Sequence, residues 1–138
     1  MESRVFVYGT LRKDALDGVT SPLTREWRFE GYGTIPGDLY DFGAYPGAVR
    51  SDVPDARVRG ELYQLPDLLE SLDLLDDYEG CGRQDDPPFE FERETVQVSL
   101  DEGGTRMAWV YWYRPEPRGR RLVSGDYLER LPPGASEG

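Results

Sequence analysis

The chain has 138 residues, 16 of them basic and 27 acidic, for a formal charge of −11. That length predicts one domain with one sizeable core, and 38% hydrophobic with 12% aromatic residues excludes a disordered chain. The negative charge and the lack of a long basic run exclude sequence-independent binding to nucleic acid or an anionic membrane, leaving a small molecule or a protein as partner.

The first expected element is the alternating, β-branched run Arg4-Val5-Phe6-Val7-Tyr8, a strand that Gly9 ends. Glycine there can take backbone angles closed to other residues, and the amides of Tyr8-Gly9-Thr10-Leu11 could form a nest for an anion; a plain turn fits the same residues. From Trp27 to Arg59 the chain is broken repeatedly by Gly and Pro, which predicts short strands and tight turns. Arg57 to Leu65 alternates again, with Val58, Leu62 and Tyr63 as core contacts. Phe91 to Leu100 and Thr105 to Tyr113, joined by Asp101-Glu102-Gly103-Gly104, predict a hairpin. The domain runs to residue 130, and residues 131–138 form a Pro-, Gly- and Ser-rich tail. Many strands and one good helix predict an α+β domain, mostly antiparallel, as a small barrel with a helix on its side.

That helix follows Pro66, with Asp67 and Glu70 spaced as a capping box and Leu68, Leu72 and Leu75 at helical period. At about 100° per residue Glu79 would fall within the leucine stripe, where a desolvated carboxylate has its pKa raised toward the range of a useful acid or base. If instead the helix ends at Tyr78 with Gly80 as its cap, Glu79 faces solvent. Asp73, Asp76 and Asp77 fall off the stripe and are expected to form a solvated acidic face, not a metal site.

Histidine is absent, so His-based zinc sites, Ser-His-Asp triads and Cys-His dyads are excluded, and proton transfer near neutral pH falls to a carboxylate, tyrosine or cysteine. Every basic residue except Lys13 is arginine, which argues against a Schiff-base lysine. The lone Cys81 has no histidine to activate it as a nucleophile, cannot pair within the chain, and fits a reducing cytoplasm. Glu2 and Arg4 precede an apolar run too short for a signal sequence, and no stretch approaches the roughly 18 apolar residues of a membrane span.

Taken together, VFVYGTLR (Val5 to Arg12), YPGAV (Tyr45 to Val49), GELYQL (Gly60 to Leu65), LDDYEG (Leu75 to Gly80), FERETVQV (Phe91 to Val98), Trp109-Val110-Tyr111 and SGDYL (Ser124 to Leu128) resemble the gamma-glutamylcyclotransferase-like family, in family order. The resemblance implies a compact β-barrel with flanking helices and a cavity between the first turn and the helix end. It also implies that Glu79 is the general acid/base, that Tyr8, Gly9, Thr10 and Leu11 hold the glutamyl end of a small γ-glutamyl substrate, and that Tyr127 lies near the pocket. Phe91 departs from the usual tyrosine, and Cys81 to Pro88 is longer and more acidic than the family pattern, which leaves the leaving group open. The implied reaction is closure of the substrate's own α-amine onto its γ-carbonyl, forming 5-oxoproline with no metal or cofactor. A non-catalytic metabolite-binding module and a protein-interaction domain are the alternatives.

Overall fold

The structure, a computed structural model, describes residues 2–9, 26–42, 46–51, 53, 55–78, 91–115, 120–122 and 125–126. The four runs read as strands become β1 (Arg4–Val7), β5 (Arg57–Gln64), β6 (Phe91–Leu100) and β7 (Thr105–Tyr113); the Gly- and Pro-broken stretch yields β2 (Arg28–Pro36), β3 (Asp38–Asp41) and β4 (Pro46–Val49), and β8 (Arg120–Leu122) has no counterpart in the sequence reading. The helix α1 (Leu68–Tyr78) stands between β5 and β6 in the sequence.

Strands β1, β5, β2, β6 and β7 follow one another around a barrel that closes where β1 meets β7, in parallel, at Val5 and Trp109. The sheet continues from β7 through β4 and β3 to β8. Apart from the parallel contacts of β7 with β1 and β4, the pairings are antiparallel, as expected. The expected hairpin is β6 and β7, in register from Phe91 opposite Tyr113 to Ser99 opposite Thr105. Its turn needs glycine, because Gly103 and Gly104 have φ of 104° and 82°.

Side chains of one parity fill the barrel: Phe6, Tyr8, Ile35, Val58, Leu62, Val98, Val110 and Trp112 are buried together. Those of the other parity, Val5, Val7, Tyr63, Phe91 and Tyr111, form a second core with Leu72 and Leu75 of α1. A strand between two cores buries both faces, which explains why β5 hides Val58 and Leu62 on one side and Glu61 and Tyr63 on the other. Phe91 and Val98 of β6 belong to different cores for the same reason.

The helix begins as its sequence predicts, with the Asp67 carboxylate accepting the Glu70 amide at 3.1 Å. Leu72 and Leu75 bury against the barrel wall, with Leu68 partly buried beside them. Among the described residues α1 is the one helix, and no helix is long and apolar enough to cross a membrane. The tail at 131–138 lies outside the described residues.

Candidate active site

Since β6 occupies one edge of β7, β1 and β4 share the other: β1 meets it at Trp109, and β4 meets it at Trp112. Between those points the ladder splits. The Tyr8 phenol fills the split, donating its hydroxyl to the Tyr111 carbonyl at 2.7 Å and accepting the Ala48 amide at 3.2 Å. Tyr8 therefore spends its side chain inside the barrel, joining β1, β4 and β7.

Gly9 is needed for a reason other than the one expected. It does not have positive φ; a Cβ built on it would lie 2.9 Å from Cδ of Pro46 and closer still to Cγ, so the first residue of β4 occupies the space a side chain would take. The residue after the Tyr8 phenol is thus pressed onto the start of β4.

The last turn of α1 reaches the same strand. Asp76 takes three hydrogen bonds from the barrel wall: its Oδ1 accepts the Tyr111 hydroxyl at 2.6 Å and Arg93 Nε at 2.9 Å, and its Oδ2 accepts Arg93 Nη2 at 3.3 Å. Arg93 also lies over the Trp109 ring, 4.5 Å from its centroid. The expected solvated acidic face is corrected here. Asp73 is exposed, but the Asp76 side chain is 18% exposed and is an anchor, because β6 and β7 place a guanidinium and a phenol where the helix wheel showed only open surface. Among the described residues no three acidic or sulfur-bearing side chains gather as metal ligands.

Tyr111 therefore touches both candidate segments, the end of β1 through its carbonyl and the last turn of α1 through its hydroxyl. Arg93 and Tyr111 enter the sequence reading only as members of the family-like FERETVQV and Trp109-Val110-Tyr111 strands, with no role assigned to either. A second buried acid also escaped notice: Glu61, 0% exposed, sits opposite Val7 of β1 and accepts the Tyr63 hydroxyl at 2.7 Å. Further along the chain, Gly125 has φ of 72° and its carbonyl accepts the Arg59 amide at 2.8 Å, which holds Gly125 on β5. Thr10, Leu11, Glu79 and Tyr127 lie outside the described residues. Glu79 directly follows the last residue of α1, and Thr10 directly follows Gly9.

The sequence pattern of the family described as gamma-glutamyl cyclotransferase, AIG2-like, matches residues 5–129. The chain belongs to this family. A Vibrio cholerae protein provisionally named a gamma-glutamylcyclotransferase is 34% identical over 134 residues, covering 95% of this chain and all of its own. Among solved structures, an uncharacterised protein of Pyrococcus horikoshii superposes with a TM-score of 0.64 at 27% identity, over 93% of this chain and 92% of its own. The mouse AIG2-like protein superposes at the same TM-score and 24% identity, over 82% of this chain and 80% of its own, and so shares the fold. The small α+β barrel read from the sequence is thus the gamma-glutamyl cyclotransferase fold.

Proposed function

We propose that the protein releases an amine from a γ-glutamyl amide by intramolecular cyclisation, with 5-oxoproline as the other product. The family and its relatives support a cyclotransferase in general. The observation that carries the finer reading is Tyr111, which draws the end of β1 and the last turn of α1 to one residue. The family resemblance supplies the turn with its anion-holding backbone at Tyr8, Gly9, Thr10 and Leu11 and the helix end with its proton carrier, Glu79.

The reaction asks for no enzyme nucleophile, which suits a chain without histidine. The α-amine of the glutamyl group is already tethered to its γ-carbonyl, so the protein has to fold the substrate and move protons. The Glu79 carboxylate takes a proton from the α-ammonium, and the freed amine attacks the γ-carbonyl carbon. The new carbon–nitrogen bond closes the ring, and the bond to the leaving nitrogen breaks as that nitrogen is protonated. Of the three ammonium protons, one stays on the lactam and two end on the leaving amine. A single carboxylate can carry both in turn and finish unchanged. Amides of the β1 turn stabilise the negative charge of the substrate, and Tyr127 borders the pocket. We assign the reaction to the domain at residues 1–130 and, on the lone Cys81, to the cytoplasm.

The test is turnover itself. Purified protein incubated with a panel of γ-glutamyl amides should release 5-oxoproline, detected by mass, from at least one of them. Binding of those compounds without release would replace the enzyme with a metabolite-binding module.

A further inference from the structure

The hydrophobic face of α1 holds the helix against the barrel, but hydrophobic contact is non-directional and leaves the helix free to rotate and slide. The Asp76 cluster removes that freedom. Both guanidinium atoms of Arg93 that reach Asp76 come from one planar fork, and the Tyr111 hydroxyl approaches the same carboxylate from the neighbouring strand. Arg93 and Tyr111 face one another in the β6–β7 ladder, so the donors are fixed relative to each other by backbone pairing. The Arg93 side chain is 26% exposed and stacked on Trp109, which limits its own motion.

The cluster is also hard to explain by helix stability alone. An acidic residue in the last turn of a helix opposes the macrodipole, and α1 has no basic residue of its own there. A half-buried ion pair is weak evidence for stability and serves better as a directional restraint. Asp76 lies three residues before Glu79 and in the last turn of α1, so what fixes Asp76 fixes the helix end from which Glu79 follows in the sequence.

We propose that Asp76, held by Arg93 and Tyr111, is a positioning residue that sets the direction in which α1 delivers Glu79 toward the end of β1. Tyr111 joins the two halves: its hydroxyl restrains the helix end, and its carbonyl receives the Tyr8 hydroxyl at the base of the turn. The inference rests on the reading of Glu79 as proton carrier. Misplacing a catalytic group by about 1 Å costs on the order of a hundredfold in rate, whereas substrate bound at the turn is unaffected by it.

The experiment measures kcat, KM and the urea midpoint with one accepted γ-glutamyl amide for Asp76→Ala, Tyr111→Phe and Glu79→Gln, with Asp73→Asn on the exposed face as control. Asp76→Ala should lower kcat by roughly 10- to 100-fold with KM within about threefold of wild type. Tyr111→Phe removes one hydroxyl and leaves Arg93 on Asp76, so it should fold and show the same split at about 3- to 10-fold in kcat. It carries the test if Asp76→Ala does not fold. Asp73→Asn should match wild type. Wild-type kcat per folded molecule in Tyr111→Phe and in any folded Asp76→Ala, with only the urea midpoint reduced, would overturn the positioning role. If Glu79→Gln is inactive in that case, the functional reading survives without it. Full activity in Glu79→Gln would overturn both.

Discussion

Two residues at the end of β1 show how a short motif can be required for reasons that its letters hide. The Tyr8 side chain belongs to the barrel, its hydroxyl bridging Tyr111 and Ala48 where the sheet splits. Gly9 reads as a turn with unusual backbone angles and is a contact, with Pro46 filling the place of its missing side chain. The two explanations of Gly9 differ in what rescues a substitution. We expect Gly9→Ala to destabilise the protein by about 1–3 kcal/mol and to raise KM, because the proline ring and the turn must move apart. Removing Cγ and Cδ with Pro46→Ala in the same chain should recover much of the loss, a coupling above about 0.5 kcal/mol in a double-mutant cycle followed by urea unfolding. Strain from a left-handed backbone would show no such coupling.

At the scale of elements, α1 was the most legible part of the chain and also the site of the clearest miss. Its start, its period and its buried leucines follow from Asp67, Leu68, Leu72 and Leu75 alone, since a cap and a stripe are local properties. Leu75→Ala should therefore cost about 2–5 kcal/mol, and Leu74→Ala, at an exposed position on the same helix, less than about 0.5, both measurable by urea unfolding. Asp76 was not legible, because its partners come from β6 and β7 and nothing in the helix sequence announces them. The β6–β7 hairpin was readable from its glycine turn, yet the assignment of its residues to cores was not. A strand that buries both faces loses the alternation by which an inner face is recognised, and Phe91 and Val98 fell on opposite sides.

Across the whole molecule, the sequence predicted a small antiparallel barrel, and the parallel contact of β1 with β7 that closes it has no local signature. Long-range polar contacts reinforce the closed form. Arg59 of β5 holds Asp101 of the β6–β7 turn through two hydrogen bonds, at 3.1 and 2.6 Å. The bond from Arg59 holds the Asp101 carboxyl below its ordinary pKa, and the same bond raises that of Arg59. A depressed carboxyl pKa stabilises the fold above the unfolded value of about 4, and that contribution is lost as pH falls through the folded value. Asp101→Asn should thus lower stability at pH 7 by about 0.2–1 kcal/mol, as expected for an exposed pair. The gap from wild type should close on acidification below about pH 4 in urea midpoints measured across pH. A gap that persisted at acid pH would mean that the turn depends on the shape of Asp101 and not on its charge.

Tyr111 of the same barrel bonds both Tyr8, just after β1, and Asp76, in the last turn of α1, and the account as a whole depends on the role proposed for Glu79. Glu79→Gln keeps size and hydrogen-bonding capacity and removes the ability to carry a proton, a loss worth about 10²–10⁴-fold in general acid/base catalysis. The decisive measurement is the rate of 5-oxoproline release from a γ-glutamyl amide by wild type and by Glu79→Gln at saturating substrate. We expect the variant to fold with an unchanged urea midpoint or a higher one, to bind the amide as wild type does, and to release 5-oxoproline at least about a hundredfold more slowly. Equal rates would contradict the account and remove Glu79 from the mechanism.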